Sequence, residues 1–191
     1  MLTRDGAVAR ARKVRFLVMD VDGVLTDGRM ILSERGDELK AFHTRDGVAI
    51  SLAKRAGWRT ALVTGESSTI AKARGAKLGV DAVILGARRK AETVEALRAE
   101  YELPADAVAY IGDDLLDVPA MQRVGLAIAV ADGSETVRRL AHAVTRAAGG
   151  QGAVREAIEW ILRAQRRWGP VVDAYVREHG GSGLDPGRGR R

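Results

Sequence analysis

The sequence predicts a doubly wound, Rossmann-like α/β domain: a parallel sheet covered by helices on both faces, with a β-hairpin protruding from it. Three observations carry this. Short, continuous apolar runs alternate with helical patterns between residues 14 and 162, the signature of strands buried on both faces. Acidic and hydroxyl residues stand where several of these runs end. One segment breaks the alternation. At 191 residues the chain suits one sizeable domain.

Phe16 to Met19 is the first predicted strand, followed by Arg59 to Thr64, Ala82 to Leu85, Val108 to Gly112 and Leu126 to Val130, with His142 to Thr145 a short sixth. Helical patterns fall near 46–56, 67–79, 90–101, 114–123 and 134–141. The exception is Arg29 to Phe42, where Ser33-Glu34-Arg35-Gly36 separates two strand-like runs and reads as a hairpin spanning 29–43. No other stretch is long enough for a separate cap domain. Val154, Ile158, Ile161 and Leu162 recur at helical spacing, and Trp168-Gly169-Pro170 interrupts that helix. The expected division is therefore a basic N-terminal arm (1–13), the α/β domain (14–168) and a flexible basic tail (169–191).

The isoelectric point near 10 invites a nucleic-acid reading. The location of the charge argues against it: residues 1–15 and 163–191 carry +4 each, and the body between them −2. A nucleic-acid domain more often carries its charge on a folded face. No run approaches the ~20 residues of a membrane helix, and the N-terminus lacks a secretory apolar stretch. There are no cysteines, which excludes disulfides and thiolate–metal sites. The expectation is a cytoplasmic protein with neither nucleic-acid nor membrane partners.

The chemistry concentrates at strand ends. Asp20-Val21-Asp22-Gly23-Val24-Leu25-Thr26-Asp27-Gly28 places two acids one residue apart after a buried strand. Burying such a pair is costly unless a cation lies between them, and hard oxygen ligands suit Mg²⁺. Ile111-Gly112-Asp113-Asp114-Leu115-Leu116-Asp117 ends another strand in a second acid cluster, which also favours a metal. Thr64-Gly65-Glu66-Ser67-Ser68 joins a strand to a helix, where a hydroxyl and free N–H groups form a phosphate cradle; Ser67 or Ser68 as a simple N-cap is the competing reading. Lys90 opens another helix, with Arg88 and Arg89 as competing cations. Phosphoryl transfer through an aspartate requires a nucleophilic carboxylate, an acid/base, a cation and a metal, and these segments supply all four.

In this order the segments resemble the four motifs of the haloacid dehalogenase-like phosphatases, over residues 14–130. Asp20 to Gly28, the hairpin running into Arg45-Asp46-Gly47, Tyr110 to Asp117 and Gly149 to Glu156 are similar, over 14–162, to one branch of that family. It comprises the 3-deoxy-D-manno-octulosonate 8-phosphate and nonulosonate 9-phosphate phosphatases. The resemblance implies a core without a cap domain, assembled as a homotetramer and acting on a small sugar-acid phosphate. Asp20 would be the nucleophile and Asp22 the acid/base, with Thr64 and Lys90 binding phosphate. Asp20, the backbone carbonyl of Asp22 and Asp113 would bind Mg²⁺; Asp114 and Asp117 would act through water or hold Lys90.

Gly65 and Glu66 stand where the octulosonate enzymes usually have Gly-Arg, and Lys77 follows eleven residues later, a pairing similar to the nine-carbon branch. Eleven helical residues span about 16 Å, so the expectation is that Glu66 serves its own site and Lys77 a neighbour's. Arg45 is a candidate for the sugar carboxylate. Two other readings stand beside this one: a phospho-accepting receiver domain, and a non-catalytic oligomerisation or activator module.

Overall fold

The structure is a computed structural model and describes residues 1–184. The chain runs β1 (Leu2–Thr3), α1 (Ala7–Ala11), β2 (Phe16–Met19), β3 (Ile31–Leu32), β4 (Glu38–Leu39), α2 (Thr44–Arg55), β5 (Arg59–Val63), α3 (Thr69–Leu78), β6 (Ala82–Ile84), α4 (Lys90–Glu100), β7 (Val108–Gly112), α5 (Val118–Met121), β8 (Leu126–Ala129), α6 (Glu135–Leu140), β9 (Ala143–Val144), α7 (Ala153–Ala164) and α8 (Trp168–Glu178). Seven strands form one sheet in the order β6-β5-β2-β7-β8-β9-β1. All neighbours are parallel except the edge pair β9 and β1. β3 and β4 form the separate antiparallel hairpin.

Alternation along the buried strands sorts side chains into two layers. Leu17 and Met19 of β2 and Ala109 and Ile111 of β7 face the core built with α2 and α7. Phe16, Val18, Val108 and Tyr110 face the core built with α4, α5 and α6. The central strand β2 lies between β5 and β7, with Met19 level with Leu62 and Ile111. Residues 20, 64 and 113 thus leave the sheet together, at the crevice where strand order switches direction, the ligand site of doubly wound folds.

Two expected boundaries need correction. Residues 1–13 are no loose arm: β1 extends the sheet and α1 buries Ala7 and Ala11 fully. Of the basic residues in this segment, Arg10 is exposed on the helix, while Arg4, Arg12 and Lys13 are exposed on either side of it. Nor is 169–178 a flexible tail, because α8 packs Val171 against the core around α2 and α7. Pro170 lies in the first turn of α8, where its missing N–H has no intrahelical partner to lose. Residues 185–191 of the expected tail lie outside the described residues.

The loop before α7 braces the loop that carries Asp20 and Asp22. Gly150 N donates to Val24 O at 3.0 Å and Gly149 N to Asp132 Oδ1 at 2.9 Å. A Cβ on Gly149 would collide with the backbone carbonyl of Gly23. From α2, the fully buried Asp46 accepts from Arg155 N at 2.7 Å and so caps α7.

Candidate active site

Asp20 follows β2 directly, and its backbone N donates to Ile111 O of β7 at 3.1 Å. The Asp20 carboxylate is nearly buried, with Oδ1 accepting from Val21 N at 2.7 Å. Its Oδ2 lies 2.8 Å from Lys90 Nζ. Lys90, the first residue of α4, is also buried and reaches Asp117 Oδ1 at 2.7 Å. Asp117 Oδ1 further accepts from Tyr110 Oη at 2.6 Å, while its Oδ2 accepts from Asp113 N at 2.9 Å and Asp114 N at 3.3 Å. The ammonium and the Asp113–Asp117 turn are therefore held by one carboxylate.

Carboxylate oxygens of Asp20, Asp113 and Asp117 all lie within 4.8 Å of one another. Gly23, at φ +87°, lets the Asp113 carboxylate press against the loop; a Cβ there would occupy its place. Lys90 is one cation among three acids, so the cluster is short of positive charge. Burial pushes the Asp20 carboxyl up to about 7, with Asp117 adding to the rise and Lys90 opposing it. Burial likewise drives Asp113 up to about 8, reinforced by Asp117 and Asp20. Burial and the Asp117 charge raise the Tyr110 phenol well above its usual range, so it remains a donor. For Lys90, burial pulls downward but Asp20 and Asp117 outweigh it, and the ammonium is held charged.

Asp22 points elsewhere. Its Oδ1 pairs with Lys40, at the end of the hairpin, and its Oδ2 accepts from Thr64 Oγ1 at 3.4 Å. Thr64 Oγ1 in turn accepts from Glu66 N at 3.1 Å. An open cavity of about 210 Å³ unites the expected residues Asp20, Asp22, Thr64, Gly65, Glu66, Lys90, Asp113, Asp114 and Asp117, joined by Met30 and Leu116. Asp114 caps the turn that follows it, accepting from Leu115 N at 2.8 Å.

Two expected residues lie outside this cavity. Arg45 lines a different cavity, with Arg146, Arg155 and Trp160. Lys77 is exposed near the end of α3, some three turns beyond Glu66. Of the competing cations, Arg89 turns outward to Glu92 at 3.0 Å, leaving Lys90 as the partner of Asp20. Among the expected metal-site residues, the side chains that converge are Asp20, Asp113 and Asp117, with the Asp22 carboxylate engaged by Lys40 and Thr64 instead. Ser68 does precede α3, but its hydroxyl donates to Glu38 Oε2 at 3.2 Å rather than capping the helix. Lys40 and Tyr110 are the functional neighbours that sequence reasoning missed. Lys40 contacts Asp22 from eighteen residues away, and the one available signal was a lysine placed after an amphipathic hairpin strand.

Comparison with known proteins agrees with this geometry. Residues 83–158 match the family model for haloacid dehalogenase-like hydrolases. The chain is 41% identical over 158 residues to 3-deoxy-D-manno-octulosonate 8-phosphate phosphatase KdsC of Escherichia coli, covering 83% of this chain and 84% of that protein. Among solved structures, the phosphatase of the same name from Yersinia pestis superposes with a TM-score of 0.84 at 38% identity, covering 94% of this chain and 92% of that one. The Moraxella catarrhalis phosphatase, solved with a magnesium ion, a phosphate ion and a KDO molecule, gives a TM-score of 0.85 at 34% identity over 92% of this chain and 99% of that one. The receiver and non-catalytic readings give way to an enzyme. The chain belongs to the haloacid dehalogenase-like hydrolase family and is a phosphoric monoester hydrolase.

Proposed function

We propose that this phosphatase hydrolyses a 2-keto-3-deoxy sugar-acid phosphate, with 3-deoxy-D-manno-octulosonate 8-phosphate the leading substrate, through an aspartyl phosphate on Asp20. The carrying observation is the Lys90 ammonium clamped between Asp20 and Asp117, with Asp113 beside them and Asp22 at the same cavity. The names of the E. coli and M. catarrhalis relatives supply the substrate class.

The acid cluster fits Mg²⁺: three carboxylates lie close enough to share an ion, and two have pKa values raised in its absence. Asp20, Asp113 and the Asp22 carbonyl would hold it, with Asp117 supporting. When bound, Mg²⁺ neutralises charge on the phosphoryl oxygens. Asp20 attacks phosphorus, and the bond from phosphorus to the sugar oxygen breaks. Asp22, entering as the carboxylic acid, gives its proton to that oxygen and releases the alcohol. The Asp22 carboxylate then takes a proton from water as the water attacks phosphorus. The bond to Asp20 breaks, and inorganic phosphate leaves with Asp22 reprotonated. Lys90 binds the phosphoryl oxygens by charge, and Thr64 binds them by its hydroxyl once that proton turns from Asp22 Oδ2 to the substrate.

The hairpin exposes Met30, Ile31, Leu32 and Leu39, each between 49 and 66% accessible. Apolar side chains grouped on one projecting element favour a partner surface, which supports the homotetramer reading. In that assembly Lys77, Arg45 or tail arginines would serve a neighbour's cavity. Among the described residues no helix is long and apolar enough to cross a membrane, and we place the enzyme in the cytoplasm. The test is phosphate release from eight- and nine-carbon sugar-acid phosphates, with Mg²⁺ and with EDTA. Metal-dependent turnover favouring the eight-carbon ester supports the reading; turnover unaffected by EDTA contradicts it.

A further inference from the structure

Lys40 stands out on the hairpin. Its neighbours Leu32 and Leu39 are 66 and 64% exposed, yet its own side chain is 1% exposed. Lysine is almost never buried this way unless it is paired. Here it has two partners, the Asp22 carboxylate and Glu38 Oε1, the latter at 3.0 Å. Glu38 Oε2 accepts from Ser68 Oγ at 3.2 Å, at the start of α3. A continuous polar chain thus runs from α3 through the hairpin to Asp22.

Asp22 is gripped from two sides. Lys40 engages Oδ1, while Thr64, at the end of β5, donates to Oδ2. Lys40 does not line the cavity that holds Asp20, Thr64 and Lys90, whereas Asp22 does. The cavity residue that Lys40 touches directly is therefore Asp22, through its carboxylate. An acid that must meet a leaving oxygen within hydrogen-bond reach gains from being held in place before substrate arrives.

We propose that Lys40 is the positioning residue of Asp22, through which the hairpin sets where the proton donor stands. This rests on the reading of Asp22 as the acid for the leaving alcohol. It assigns the hairpin a part in the chemistry of its own subunit, separate from any part in assembly.

The test compares two leaving groups on the Mg²⁺-loaded enzyme. p-Nitrophenolate departs with little protonation, whereas phenolate needs more assistance from the acid. kcat/KM reports the step that expels the alcohol, so hydrolysis of the aspartyl phosphate does not blur it. A positioned acid contributes roughly 10²–10⁴-fold. Lys40→Met should lower kcat/KM for phenyl phosphate about 10-fold, and for p-nitrophenyl phosphate less than about 3-fold. Asp22→Asn, run in parallel, should show the same inequality, larger. The double variant Lys40→Met/Glu38→Gln removes the buried charges in balance, and it should reproduce the single variant's inequality if Lys40→Met alone folds poorly. Equal losses on both esters in the Lys40 variants, with the inequality present in Asp22→Asn, overturn the role of Lys40 alone. Absence of the inequality in Asp22→Asn overturns the acid assignment and this proposal with it.

Discussion

The floor of the cavity and its rim are built on different principles. In the floor, Asp20, Lys90 and Asp117 are buried and hold one another, and the half-buried Asp113 is tied to Asp117 through its backbone N–H. The rim, comprising Met30, Glu66 and the apolar side chains of the hairpin strands, is exposed, and Glu38 and Lys40 tie that hairpin to the body through Ser68 and Asp22. A rigid, charge-rich floor is what phosphoryl transfer requires, because preorganised charge costs no rearrangement during the reaction. An open rim leaves recognition of the rest of the substrate to a few side chains and to whatever covers the hairpin. On the function proposed above, the floor carries the phosphoryl transfer, and the rim, Lys40 apart, meets the rest of the substrate.

The largest effect should come from the floor. Asp20→Asn should reduce phosphate release by on the order of 10³-fold or more, as expected for loss of a nucleophile. It should leave the circular dichroism spectrum unchanged, and residual turnover near wild type would break the comparison. Lys90→Met should damage activity and fold together. It leaves Asp20 and Asp117 buried without their cation, a change worth about 3 kcal/mol of stability. Urea unfolding measures this, and an unaltered midpoint would mean that the floor is looser than its contacts imply.

The floor should also set the response to pH. The folded-state pKa values of Asp20 and Asp113, about 7 and about 8, exceed the usual 3.8. The folded protein without metal therefore binds more protons than the unfolded chain. Its stability falls as pH rises from about 4 through 8. Thermal denaturation in EDTA should show the melting temperature dropping across that window. Mg²⁺, which competes with those protons, should restore it most at the alkaline end. A melting temperature in EDTA that rises over the same window contradicts the sign.

Rim changes should be smaller and selective. Glu66→Arg should leave turnover of p-nitrophenyl phosphate within about 3-fold while shifting the ratio of kcat/KM between eight- and nine-carbon substrates by about 10-fold, the scale of one charged contact. An unchanged ratio removes Glu66 from substrate selection.

The same division governed what the sequence made legible. Asp20, Thr64, Lys90 and Asp113 are readable because each follows an apolar run or opens a helix, so local pattern places it at the sheet's carboxyl edge. Asp117 is readable as an acid within one turn of Asp113, but its bond to Tyr110 is not. Nothing local says that this tyrosine points across the sheet end. Lys40 was hidden because its partner Asp22 lies eighteen residues earlier, in the loop that follows β2. Arg45 falls outside the cavity because a motif carries a residue's type but not its reach within one subunit, whereas Lys77 lies outside it as the eleven-residue spacing from Glu66 implied. At the chain ends, glycine, proline and basic residues outweighed weaker helical signals. Ala7 and Ala11 are four apart, as are Val171 and Tyr175, and those spacings are the faces that α1 and α8 bury or half-bury.

The most direct test of the account is to find the phosphoryl group on the protein. Enzyme mixed with Mg²⁺ and substrate, quenched in acid during turnover and reduced with borohydride, converts a phosphorylated aspartate into homoserine that mass spectrometry of the peptides locates. The account predicts homoserine at position 20, dependent on substrate. Homoserine at Asp22 or Asp113 instead, or none at position 20 while phosphate is being released, would contradict it.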